Sequence, residues 1–225
     1  MARRNLTTDR HPSPPRWRRR KEARPGEILQ AALETFVERG FAAARLEEVA
    51  RRAGVTRGTM YLYFPSKQAL FEAVVRRNII PGIERAEQLA GDFEGDSADL
   101  LERLVRDWWE RVGHSPTLGG LPKLVMAEAA NFPDLARFYH EQVVRRGQAV
   151  LQRAVRRGIQ RGEFDPDLDP VIIARLAVAP LLLVTQWCHS FGPVVGEVMD
   201  ADAILDTHVR MLRRALKAPC SGASS

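Results

Sequence analysis

The stretch that most constrains this chain of 225 residues is a short one, Leu46 to Phe64. It sets a small residue, Ala50, ahead of Gly54, and follows these with Val55 and Met60. A small side chain lets a second helix cross close by. A glycine four positions later lets the backbone turn with positive φ. Val55 and Met60 supply the apolar wedge that fixes the angle between the two helices. These offsets predict a helix over about 46–53, a tight turn, and a second helix running from an N-cap at Thr56 to about Tyr63. That is a helix-turn-helix.

The surrounding sequence is helical in the same way. Leu29, Ala32, Leu33, Phe36 and Val37 make one face of a helix over 25–39, with Pro25 at its first position and Gly40 as its stop. Ser66 caps a further helix, after Phe64-Pro65 has broken the chain. Pro81-Gly82 ends or kinks that helix, and residues 91–97 read as a loop. Helical spacing returns over 98–112, 121–130, 135–161, 171–191 and 200–217, with Gly162 closing one segment and residues 165–170 forming a turn. No alternating strand pattern and no internal repeat occur, so the expected fold class is all-α. The expected organisation is a basic arm over 1–24, a helix-turn-helix domain over 25–77, a helical ligand-binding and dimerisation domain over 78–217, and a short tail over 218–225.

Charge is distributed unevenly. The chain has 34 Lys/Arg and 28 Asp/Glu, a net charge of +6. Residues 1–24 hold nine of the basic residues against Asp9 and Glu22, which leaves the remainder near neutrality. A proline- and arginine-rich arm of this kind is expected to be disordered and to attract a polyanion. Cys188 and Cys220 form no metal-ligand spacing and no disulfide framework. His114, His140, His189 and His208 are scattered. No phosphate loop, nucleophile elbow or HExxH is present, so neither metal, cofactor nor catalysis is expected. The N-terminus lacks the apolar stretch of a signal peptide. The apolar run Val171–Cys188 is broken by Arg175, Pro180 and Gln186, and reads as a buried helix rather than a membrane span. A cytoplasmic protein is expected.

The chemistry of the motif points to double-stranded DNA. Thr56 and Thr59 put hydroxyls beside the free N–H groups of a helix N-terminus, where phosphate binds. Arg57 points outward where base edges are reached in the major groove. Gly58 permits close approach, Tyr61 and Tyr63 reach toward phosphates, and Tyr61 could pack on a thymine methyl. Arg45 and Lys67 flank the motif as further phosphate contacts. A generic helical hairpin with a surface arginine is the bland alternative.

Residues 25–77 resemble the DNA-binding domain of TetR-family transcriptional regulators. The resemblance rests on Ile28, Ala31, Ala32, Phe36, Gly40 and Phe41, and then on Val49-Ala50, Ala53-Gly54-Val55-Thr56, Gly58, Tyr61, Tyr63-Phe64, Ser66-Lys67 and Leu70. It covers about a quarter of the chain. One position departs from the pattern: Arg45 stands where the family usually has a threonine that caps the first motif helix and touches phosphate. Asn131 to Tyr139 resembles, more weakly, the regulatory domain of multidrug-efflux repressors. The resemblance implies a homodimeric repressor on a palindromic operator. A ligand bound in its C-terminal domain changes the spacing of the two reading heads and releases the DNA. The alternative is a constitutive or architectural DNA-binding protein with no inducer.

For the dimer, the expected surface is the last two helices, through Leu181, Leu182, Val184 and Thr185 on one and Ile204, Leu205, His208, Val209 and Leu212 on the other. For a small apolar or aromatic ligand, the candidate lining is Trp108, Trp109, Met126, Phe138, Tyr139, Val143 and Trp187, with ordinary core packing as the alternative.

Overall fold

The computed structural model describes the backbone of residues 16–217 and the side chains of residues 25–217; the outermost arm and the tail with Cys220 lie outside this range. Among the described residues the chain is helical, and its single bridge of extended backbone joins Phe164 to Lys217. The elements are α1 (Arg16–Ala43), α2 (Leu46–Arg52), α3 (Arg57–Tyr63), α4 (Lys67–Asn78), α5 (Ile80–Asp92), α6 (Ser97–Trp108), α7 (Gly120–Glu128), α8 (Pro133–Tyr139), α9 (Arg145–Gln160), α10 (Pro170–Gln186), α11 (Gly192–Val195) and α12 (Ala201–Ala215). Three wide π-turns, Trp109–Gly113, His140–Val144 and Trp187–Phe191, continue α6, α8 and α10.

Two boundaries differ from the sequence reading. The arm over 1–24 is not wholly irregular, because α1 begins at Arg16 and Pro25 lies inside it rather than at its start. At the other end, α1 resumes for a few residues beyond Gly40, whose φ of 77° bends the chain sharply. The segment 135–161 is nearly one helix, as expected, but with a π-turn in its first half.

The buried side chains form two clusters. In the first, Ile28, Leu33 and Phe36 of α1 pack with Val49 and Ala50 of α2, Met60 of α3 and Leu70, Phe71 and Val74 of α4. This cluster continues into Leu121, Leu124 and Val125 of α7 and Leu135 and Tyr139 of α8. In the second, α6, α9, α10 and α12 converge on Leu100, Leu104, Trp109, Ala154, Ala177, Leu181, Leu205 and Val209.

The joint between the two halves is close. A Cβ on Gly120 of α7 would lie 2.4 Å from Val37 Cγ1 of α1, so glycine permits that helix crossing. At the other end of α7, Glu128 Oε1 accepts the Ala42 N–H at 2.9 Å. Phe132 meets Phe41 edge to face at 4.8 Å between ring centroids.

Candidate nucleic-acid interface

The reading helix is built by local rules. Gly54 has φ 63° and nothing within 4 Å of its missing Cβ, so the turn uses its backbone freedom and not its small size. The Val55 N–H returns to the Ala50 carbonyl at 3.0 Å and closes the turn. Thr56 Oγ1 accepts from the Thr59 N–H at 3.1 Å, capping α3, and the Thr56 and Thr59 hydroxyls lie 2.9 Å apart. Met60 is fully buried and pins α3 to the core, while Tyr63 packs half-buried beside it.

The outer side of α3 is bare. Arg57, Gly58 and Tyr61 are exposed, as is Leu62, whose side chain is 81% accessible. Sequence reasoning misses Leu62, since apolar character alone suggests a buried position. Arg57 stacks its guanidinium 5.5 Å from the centre of the Tyr61 ring. Gly58 has no close intramolecular neighbour: a Cβ there would lie 4.0 Å from Thr56 Oγ1. The fold therefore does not demand glycine at this point. Arg45 precedes α2 as an exposed N-cap residue whose side chain makes no capping bond.

Lys67 departs from its expected role as a phosphate contact. Its ammonium turns inward and donates to the carbonyls of Phe41, Ala42 and Ala44 at 2.7, 2.9 and 3.2 Å. It also sits 4.8 Å from the centre of the Phe41 ring. All three of its donors are occupied by the end of α1. Burial pushes its pKa below the usual lysine value, and the charge of Glu128 offsets only part of this.

The expected dimer residues mostly face inward. Leu181, Val184, Thr185, Leu205 and Val209 are buried within the chain. His208 Nε2 lies 3.0 Å from the Ala177 carbonyl, joining α12 to α10, and Ile204 and Leu212 pack half-buried against the second core. The bare apolar positions are instead Ile172, Leu176 and Leu183 on α10, Met211 on α12, and Phe191, Val194, Val195 and Val198 beyond α10. The run expected to be a buried helix is thus buried on one side alone. As part of a helical stretch over Pro170–Val195 it is long and apolar enough to cross a membrane, with mean hydropathy 1.9 and 28% of its apolar window buried. Its inner face is nonetheless committed to the second core.

The residues expected to line a ligand site are divided between the two cores and the surface. Trp109 is buried in the second core and Tyr139 in the first, where burial pushes the phenol's pKa up. Trp108 touches both cores, Phe138 and Val143 border the first, and Met126 is exposed. Phe138 lies under Arg76 of α4, with 5.0 Å from guanidinium carbon to ring centre. Trp187 lines a surface cleft of about 280 Å³ with Cys188, Gly192, Pro193, Glu197, Val198 and Met199. Its indole N–H is buried without a partner. No cluster of metal-ligating side chains occurs among the described residues.

Two family models match the chain. Bacterial regulatory proteins of the tetR family match residues 28–74, and the tetracyclin repressor-like C-terminal domain matches residues 89–208. The chain belongs to the TetR family. Among its relatives is the transcriptional regulator UidR of Escherichia coli, 30% identical over 158 residues, spanning 69% of this chain and 77% of UidR. The transcriptional repressor KstR2 of Mycobacterium tuberculosis is 24% identical over 176 residues, spanning 78% of this chain and 86% of KstR2. The fold is shared with the regulator FadR from Bacillus subtilis, solved in complex with stearoyl-CoA. That structure aligns at a TM-score of 0.72 with 21% identity, covering 85% of this chain and 98% of FadR. These relatives are transcriptional regulators, not enzymes. As a TetR-family regulator the chain is a DNA-binding protein with an N-terminal helix-turn-helix and a C-terminal helical domain.

Proposed function

We propose that this TetR-family regulator is a ligand-responsive repressor of the cytoplasm that binds a palindromic operator as a homodimer. The observation that carries the DNA half is the bare face of α3. Arg57, Gly58, Tyr61 and Leu62 stand outward on a helix whose N-terminus is capped and whose inner side is locked by Met60. In this reading Arg57 takes a guanine edge, Gly58 admits the backbone, and Thr56, Thr59, Tyr61, Tyr63 and Arg45 hold phosphates or sugar.

The dimer reading is supported by the bare apolar row on α10. Ile172, Leu176 and Leu183 recur at spacings of four and seven, which keeps them on one side of the helix, and Met211 of α12 is exposed as well. Pairing these two helices with their symmetry mates would cover that row. The two reading heads would then address half-sites about 34–36 Å apart.

The ligand reading is supported by the tight joint between the halves and by FadR, whose bound stearoyl-CoA carries a long apolar acyl chain. For this chain the ligand class is an apolar small molecule held in the C-terminal domain.

Titration of the purified protein onto duplexes from its neighbouring promoter, with a panel of long-chain acyl-CoA thioesters and free apolar ligands, tests both halves. Tight binding to one palindromic duplex, reversed by one member of the panel, is the expected result. Equal affinity for scrambled duplex rejects the specific regulator. Specific binding that no apolar ligand reverses favours a constitutive regulator.

A further inference from the structure

The exposed side of the reading domain carries one acid that pairs with the reading helix itself. Glu47 and Glu48 both stand in the first turn of α2. Glu48 has a structural role. It accepts from Arg52 at 2.9 Å, within a network that includes Glu38 and Arg39. Both acids supply negative charge to the N-terminus of α2. Glu47 takes no part in that network. Its half-exposed carboxylate lies 3.2 Å from the guanidinium of Arg57, the first residue of the reading helix.

A carboxylate facing a polyanion costs binding energy, and Glu48 already serves the helix N-terminus, so the distinct contribution of Glu47 lies in what it does to Arg57. That guanidinium is bracketed, with Glu47 against one edge and the Tyr61 ring beside it. Arginine has five N–H donors in a rigid fork. Holding one edge on a carboxylate leaves another edge free for the O6 and N7 acceptors of guanine. The bracket also removes rotamer freedom before DNA arrives, so less is lost on docking. Swinging Arg57 out to a phosphate would break the pair and leave Glu47 unneutralised beside the backbone.

We propose that Glu47 is a specificity-determining residue that positions Arg57 for a base edge and disfavours its use on phosphate. The proposal rests on Arg57 being a base reader. Glu47 then lowers affinity for arbitrary duplex and raises the preference for one base pair in each half-site.

In vitro selection from a randomised duplex library tests this, using the full-length wild type, Glu47→Ala, Glu47→Gln, Arg57→Ala and the double variant Glu47→Ala/Arg57→Ala. Glu47→Ala and Arg57→Ala are expected to lose preference at the same base pair. Glu47→Gln, which keeps an acceptor, should retain part of it. The ratio of specific to non-specific affinity should fall about tenfold in Glu47→Ala, with binding to a non-operator duplex becoming tighter. In the Arg57→Ala background the Glu47 change should add nothing.

Loss of preference at a different base pair from Arg57→Ala would overturn the proposal, because Glu47 would then read a base itself. An unaltered motif would overturn it too. So would an equal loss of affinity on every duplex, which is the signature of a merely structural residue. A wild type that selects no motif would be a different failure, that of Arg57 as a base reader. If Glu47→Ala unfolds, Glu47→Gln against the double variant Glu47→Gln/Arg57→Ala gives the same comparison.

Discussion

Replacing Lys67 with methionine keeps the aliphatic stem and removes the ammonium, and its consequence can be worked out from the contacts. The ammonium donates to three carbonyls at the end of α1, at 2.7, 2.9 and 3.2 Å. A hydrogen bond to a charged group contributes about 1.5–3 kcal/mol. The Ala42 carbonyl belongs to an exposed residue, and water can replace the ammonium there. The Phe41 and Ala44 carbonyls sit on buried residues and are less easily resolvated. Counting roughly one full bond plus a cation–π contact of about 0.5 kcal/mol gives a loss of about 2–4 kcal/mol. For a chain of this size each kcal/mol moves Tm by about 2–4 °C, so Tm should fall by about 4–16 °C. The same variant should be titrated with operator over a range of salt. A phosphate contact contributes about 0.9 to the slope of log K against log salt. Because Lys67 is engaged inside the domain, that slope should not change, whatever happens to affinity. An unchanged Tm with a slope smaller by about one would refute the reasoning and make Lys67 a phosphate ligand.

Three further outcomes are expected. Leu183→Glu places a charge on the bare row of α10 without touching either core, so sedimentation should show monomers while the Tm of the monomer holds, and operator affinity should fall by at least tenfold, about 1.4 kcal/mol; an intact dimer would reject that row as the seam. Gly120→Ala drives a methyl toward Val37 and should cost about 1–3 kcal/mol in urea unfolding; a neutral effect would show the α1–α7 crossing to be loose. His114 is pulled two ways: burial lowers its pKa, but hydrogen bonds to Glu110 and Asp202 outweigh this and hold it above the usual histidine value. Since the folded value is the higher one, the stabilisation is complete below the unfolded pKa and disappears as pH rises through the folded one. Relative to His114→Gln, the wild type should therefore be more heat-stable at about pH 5.5 and lose that advantage by about pH 8, and a gap independent of pH would reject the Glu110–His114–Asp202 clamp.

The parts of this molecule that were legible in the sequence are those fixed by near neighbours. Thr56 caps α3 by accepting from an N–H three residues on, Ser66 does the same for α4, and Gly54 turns the chain where it stands. Each is a local arrangement of backbone and side chain, so spacing encodes it. Lys67 acts across more than twenty residues on the end of α1, and no local pattern shows that. The last helices were illegible for another reason. With apolar residues on nearly every side of α10, periodicity cannot say which row enters the chain's own core and which is left for a partner. Leu181 and Val184 took the first role, and Leu176 and Leu183 were left outside. The aromatic ligand candidates were divided because two cores each need large side chains. Trp109 fills one and Tyr139 the other.

The first core has a consequence for how such a regulator can be taken apart. A boundary after residue 77 follows the motifs, but it cuts through one continuous packing unit. Leu121, Leu124, Val125, Leu135 and Tyr139 stay on the far side of it, together with Phe132 on Phe41 and Glu128 on the Ala42 N–H. The reading head is therefore not a portable cassette. Grafted onto another regulator, it would arrive with an apolar flank whose natural cover, α7 and α8, had been left behind. A working chimaera would have to carry those two helices with it, and so would inherit part of the donor's sensory half along with its DNA preference.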